Sequence, residues 1–148
     1  MAHVSVQSAD FDIGAEIDAL ASSGDIGAVV SFTGLVRDTG GVSEMELEHY
    51  PGMTEAALQA IAAEATQRWP LAGVRIIHRF GPLQPQDRIV LVLTASRHRA
   101  AAFEAAEFIM DYLKTCAPFW KKETTPDGAK WVDARETDDA AEARWRRS

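Results

Sequence analysis

RIVLVLTASRHRAAAFEAAEFIMDYLKT, Arg88 to Thr115, changes its hydrophobic period partway along, and that change decides the fold. The run Ile89 to Leu93 is unbroken and apolar, the pattern of a strand covered on both faces at the centre of a sheet. From Ser96, the expected N-cap, Phe103, Ala106, Met110 and Leu113 recur at helical spacing. A central strand therefore runs directly into a helix, which is the longest element expected in the chain.

Working outward from this unit, Val74 to Phe80 reads as a strand, joined to Arg88 to Ala95 by the turn-rich segment GPLQPQD. Before it, Thr54 to Trp69 carries Leu58, Ile61, Ala62, Ala65 and Trp69 on one helical stripe, with Thr54 as N-cap and Pro70 closing the element. Glu44 to Tyr50 alternates, with Met45, Leu47 and His49 on one face, as a half-buried strand does. Gly27 to Thr33 is a buried strand followed by the polar turn Asp38 to Gly41, and a short helix spans Phe11 to Ala21. Downstream, Lys121 to Thr124 and Lys130 to Ala134 form a small hairpin around Pro126-Asp127-Gly128, and the polar tail from Glu136 reads as a frayed helix. After the first helix the order is β, β, α, β, β, α, β, β, which favours an α+β fold with a mixed or antiparallel sheet and three main helices over a doubly wound parallel sheet.

The 148 residues, 47% hydrophobic and 25% charged, suit one domain spanning 1–148. A net charge of -7 repels polyanions and argues against general nucleic-acid binding, so an anionic ligand needs a local basic pocket. A single cysteine, Cys116, leaves no intrachain disulfide and no cysteine-built zinc site. The first residues lack a signal-peptide pattern and no run is long enough to span a membrane, so a cytoplasmic protein without membrane or nucleic-acid partners is expected. His3, His49, His78 and His98 lack metal-ligand spacing, and neither a bound metal nor a cofactor is expected. His49 and His78 point the same way as apolar neighbours and read as structural histidines.

Four basic places stand out: Arg37 just past the first strand, His98-Arg99 at the start of the long helix, Lys114 at its end, and Lys121-Lys122 beyond Phe119-Trp120. A cation in a first helical turn gains nothing from the helix dipole, whereas an anion there does, so a bound phosphate accounts for His98 and Arg99. Lys114 also has an ordinary explanation, because a last-turn cation stabilises the dipole by roughly 0.3–1 kcal/mol. Yet Lys114 and Lys121 bracket an aromatic pair, and desolvation beside a second ammonium lowers a lysine pKa from about 10.4 toward a useful acid–base range. Cys116, between the two lysines, reads as a small packed residue and not a sulfur relay.

GAVVSFTGLVRD (Gly27 to Asp38), LEHYPGMTE (Leu47 to Glu55), HRFGPL (His78 to Leu83), SRHRAAAFEAAEFIMDYLKT (Ser96 to Thr115) and APFWKKE (Ala117 to Glu123) together resemble the large, catalytic subunit family of molybdopterin synthase. The resemblance runs over nearly the whole chain. It implies an α/β-hammerhead-like fold and conversion of cyclic pyranopterin monophosphate to molybdopterin. The two sulfurs come from the C-terminal Gly-Gly thiocarboxylate of a small ubiquitin-like partner, within a heterotetramer built on a homodimer. It also implies that Lys114 and Lys121 are catalytic and that Leu35, Val36, Arg37, His98, Arg99, Lys122, Glu123 and Arg135 bind substrate. A geometric consequence follows from the helix alone. Arg99 and Lys114 lie fifteen positions apart, on the order of 22 Å at the usual helical rise. Either one of them lies outside the site, or a symmetric dimer brings the start of one helix near the end of its partner's. The second is the expectation, with His98 and Arg99 coming from the other copy.

Overall fold

The computed structural model describes residues 2–22, 24–37, 44–117, 119–125, 128–132 and 145. In chain order the elements are β1 (Ala2–Gln7), α1 (Ile13–Leu20), β2 (Ala28–Leu35), β3 (Glu44–His49), α2 (Met53–Arg68), β4 (Leu71–Arg79), β5 (Gly81–Leu83), β6 (Arg88–Ser96), α3 (Arg99–Cys116), β7 (Phe119–Thr125) and β8 (Gly128–Val132). The fold is α+β, with three helices and two four-stranded sheets ordered β1-β4-β6-β2 and β5-β3-β7-β8. Among the described residues only the β1–β4 pair is parallel; the other pairs are antiparallel, including the C-terminal β7–β8 pair.

β6 sits inside the first sheet between β4 and β2, as its apolar run requires, and every residue from Val90 to Ser96 is buried. One face of that sheet, carrying Val74, Ile76, Val90 and Val92, packs on α2 and α3 through Leu58, Ile61, Ala62, Ala65, Phe108, Ile109 and Leu113. Its other face, with Ile77, Leu91 and Leu93, is covered by Phe11 and α1. The second sheet has a smaller core of Val36, Met45, Leu47 and Leu83.

Several expectations need correction. Phe103 is not part of the buried stripe of α3: it is 60% exposed, and Ala102, Ala105 and Phe108 join Ala106, Ile109 and Leu113 inside. The packing face lies part of a turn from the stripe that Phe103 marks, because the small side chains of Ala102, Ala105 and Ala106 carry it. Ser96 does not cap α3. It ends β6, donates to the Pro70 carbonyl (3.1 Å), and leaves His98 as the N-cap. Thr54 does not cap α2 either; Gly52, at φ +85°, holds that place, where its N–H donates to Glu55 Oε1 at 3.0 Å. Thr54 is buried one residue into the helix and donates its hydroxyl to the Tyr50 carbonyl (2.9 Å). β1 and β5 have no counterpart in the expected order. The tail from Glu136 lies outside the described residues apart from Trp145, whose indole N–H donates to Asp111 Oδ2 at 2.6 Å.

Candidate active site

The last turn of α3 presents Lys114 to solvent while Leu113 beside it is buried. The helix closes at Ala117, whose N–H reaches the Leu113 carbonyl (3.4 Å), and the Phe119 N–H then donates to the Ala117 carbonyl (2.8 Å). The chain thus turns directly from α3 into β7. Phe119 is the first residue of β7, paired in register with His49 of β3, and Lys121 is paired with Leu47 and Val132. Directly paired residues share a sheet face. Lys121, half-buried, therefore stands on the side that holds the small core of Val36, Met45 and Leu83.

Beneath Phe119 lies His78, the last member of the Val74, Ile76, His78 stripe of β4 and only 5% exposed. The two rings stack at 3.7 Å with an interplanar angle of 18°. His78 Nδ1 is 2.8 Å from the Arg79 carbonyl, which can only accept, so Nδ1 carries the proton and Nε2 the lone pair. Burial lowers the His78 pKa from the usual 6.5 to about 4; the Arg79 hydrogen bond opposes this, and the charges of Lys114 and His49 add to it. The influence of Lys114 on this ring ties the end of α3 electrostatically to the start of β7.

His49 completes the cluster, tilted against Phe80 at 4.6 Å and Phe119 at 6.1 Å. Its Nδ1 is 3.1 Å from Thr54 Oγ1. Because that hydroxyl already gives its hydrogen to Tyr50, it accepts from His49, which fixes the tautomer of the second imidazole as well. His49 and His78 are packed histidines, as their apolar neighbours in sequence suggested. Their gathering around Phe119, beside Lys114, was not foreseen.

The remaining candidates fall into three groups. Arg37 and Leu35 are exposed at the end of β2. Val36 between them is buried, and its N–H and carbonyl are engaged with Asp87 and Gln86. Lys122 and Glu123 follow Lys121 along β7, in register with Glu46 and Met45. His98 and Arg99 are exposed at the far end of α3, where no side chain caps the helix. As α3 is continuous from Arg99 to Cys116, about 22 Å separates Arg99 from Lys114 along its axis. Arg135 lies outside the described residues. Cys116 is exposed, not packed as its small size suggested. Among the described residues no group of three or more His, Cys, Asp or Glu side chains could hold a metal ion, and no helix is long and apolar enough to cross a membrane.

Fold and site together define an α+β protein in which an imidazole–phenyl cluster includes Phe119, between the helix end that carries Lys114 and the strand that carries Lys121. Residues 6–116 match the MoaE protein family. A molybdopterin synthase catalytic subunit of Ralstonia nicotianae is 63% identical over 98% of this chain and 85% of its own length. The solved molybdopterin biosynthesis MoaE protein of Burkholderia ambifaria superposes with a TM-score of 0.86 at 61% identity, covering 98% of both chains. A protein–protein complex of subunits 1 and 2 of the molybdopterin-converting factor of Helicobacter pylori includes a chain of the same fold, at TM-score 0.74 and 19% identity over 90% of each chain. The chain belongs to the MoaE family of molybdopterin synthase catalytic subunits.

Proposed function

We propose that this protein converts cyclic pyranopterin monophosphate to molybdopterin by adding two sulfurs, each delivered as the C-terminal Gly-Gly thiocarboxylate of a small ubiquitin-like partner. The observation that carries this reading is the short turn that joins the end of α3, which carries Lys114, to the Lys121-bearing strand beside the His78–Phe119 stack, in a chain of this family. Releasing sulfur from an acyl carbon replaces its C–S bond with a C–O bond from water and passes through a tetrahedral oxyanion. Fixed ammonium groups stabilise that charge, and a lysine can donate or accept the accompanying proton. Arg37, His98, Arg99 and Arg135 are assigned to the anionic substrate, with Leu35, Val36, Lys122 and Glu123 lining the site.

The length of α3 supports a site shared between two copies of the chain. In this reading the working unit is a homodimer within a heterotetramer of two large and two small subunits, and each site takes its lysines from one large subunit and His98 and Arg99 from the other. Two further features support it. Among the described residues β2 is the outer strand of its sheet, with one edge unpaired, and Phe32 (40% exposed) and Phe103 (60%) flank a groove between β2 and α3. A two-fold axis there, perpendicular to α3, would set the two α3 helices antiparallel and bring the start of each toward the end of the other.

The test is reconstitution: the protein, the cyclic pterin phosphate and a thiocarboxylated partner are combined and molybdopterin is quantified. Product is expected from the unaltered protein, and Lys114→Ala or Lys121→Ala should lower the rate by about 10²-fold or more without unfolding the chain. Binding of the pterin without product, or full activity in both lysine variants, would refute the proposal.

A further inference from the structure

We propose that His78 is a positioning residue: its ring seats Phe119, and so sets where β7 begins and where Lys121 stands relative to Lys114. The proposal rests on the reading of these lysines as the catalytic pair. On β4 the stripe facing α2 and α3 runs Val74, Ile76, His78, so an aliphatic side chain would satisfy packing at the third position. An imidazole there has to place its polar atoms, and it does so by donating Nδ1–H to the Arg79 carbonyl of its own strand. That bond satisfies the buried Nδ1–H, while the ring itself lies near-parallel on Phe119.

Phe119 is the first residue of β7 and lies three positions past the end of α3. Seating its ring therefore fixes the short link between the helix that carries Lys114 and the strand that carries Lys121. A second imidazole, His49, lies against the same phenyl ring, itself held by the Thr54 hydroxyl. The groups acting on His78 are the Lys114 and His49 charges and the Arg79 carbonyl. With Nδ1 committed to a backbone carbonyl, the ring aligns its neighbours and does not shuttle protons. Errors near 1 Å in such an alignment cost about 10²-fold in rate.

Two replacements separate the contacts of His78. His78→Asn keeps an N–H donor for the Arg79 carbonyl but has no ring; His78→Phe keeps a stacking ring but no donor. Each is assayed for kcat, KM and pH profile in the reconstituted reaction, and by NMR after ¹³C-methylation of the four lysines, assigned by Lys→Arg exchange. His78→Asn should lower kcat about tenfold or more with little change in KM, and should move the Lys121 resonance. His78→Phe should stay within about threefold of the parent with an unchanged pH profile. Phe119→Leu, which removes the other half of the stack, should reproduce the His78→Asn result and stands in if His78→Asn does not fold. Unchanged kcat and an unmoved Lys121 resonance in His78→Asn and Phe119→Leu would overturn the proposal. So would loss of one limb of the pH profile in His78→Phe, the mark of direct proton transfer. If the parent forms no molybdopterin, the reading of the reaction fails while the lysine resonances still decide the positioning.

Discussion

A buried neutral histidine makes stability depend on pH in a way that one substitution isolates. His78 is 5% exposed, and its pKa falls from 6.5 to about 4 on folding. Between those values the unfolded chain binds the proton more readily than the folded one, so stability rises with pH. The contribution is fully present above pH 6.5 and is lost as pH falls toward 4. The whole shift corresponds to about 3 kcal/mol, of which about 2 kcal/mol is lost between pH 7 and pH 5. Urea unfolding of the parent and of His78→Phe at both pH values, at one protein concentration, measures it. The parent should lose about 2 kcal/mol more than the variant on going to pH 5. The unpaired Arg79 carbonyl lowers the variant's stability equally at both pH values, and His3, His49 and His98 are common to both proteins, so these terms cancel to first order. A difference between the two pH responses below about 0.5 kcal/mol would refute the reasoning, because His78 would then titrate alike in folded and unfolded chains.

Other consequences are open to simpler measurements. Cys116→Ala should form molybdopterin at a rate within about twofold of the parent, since the sulfur is delivered by the partner's thiocarboxylate; loss of product would make the thiol a relay. Gly27→Ala places a methyl group against the backbone carbonyl of Arg97, which cannot swing aside as a flexible side chain would, and should destabilise the fold by about 1–3 kcal/mol in urea titrations. Trp145→Ala removes the bond to Asp111 and the edge contacts with Trp69 and Phe108, at 5.8 and 5.6 Å; a loss of about 2 kcal/mol is expected in thermal melts with catalysis retained.

The parts of the fold legible in the sequence are those whose pattern is set by burial on one or two faces. The Ile89–Leu93 run, the Leu58-to-Ala65 stripe and the Met45-Leu47-His49 alternation all carry their position in the sheet or core within a few residues. β1 does not, because its apolar face is only Ala2, Val4 and Val6, alternating with His3, Ser5 and Gln7, and it exists through parallel pairing with β4, some seventy residues on. β5 is three residues long and contains Pro82, tolerated at the outer edge of its sheet, so its sequence reads as a turn. Thr54 shows a local preference overridden by tertiary structure: a good capping residue was drawn inside the helix to hold Tyr50 and His49. The lysines of the candidate site were legible because Lys114 and Lys121, seven positions apart, bracket an aromatic pair. The cluster beneath them was not, since His49, His78 and Phe119 come from three strands of two sheets.

The central claim, a lysine site completed by a second copy of the chain, is tested most directly by mixing Arg99→Ala and Lys114→Ala proteins, each inactive alone. After subunit exchange, verified by native mass spectrometry, half of the dimers carry one chain of each kind, and each of these holds one intact site. Molybdopterin formation at about a quarter of the parent rate is the expected result. Output no greater than that of the separate variants, with exchange complete, would contradict the composite site.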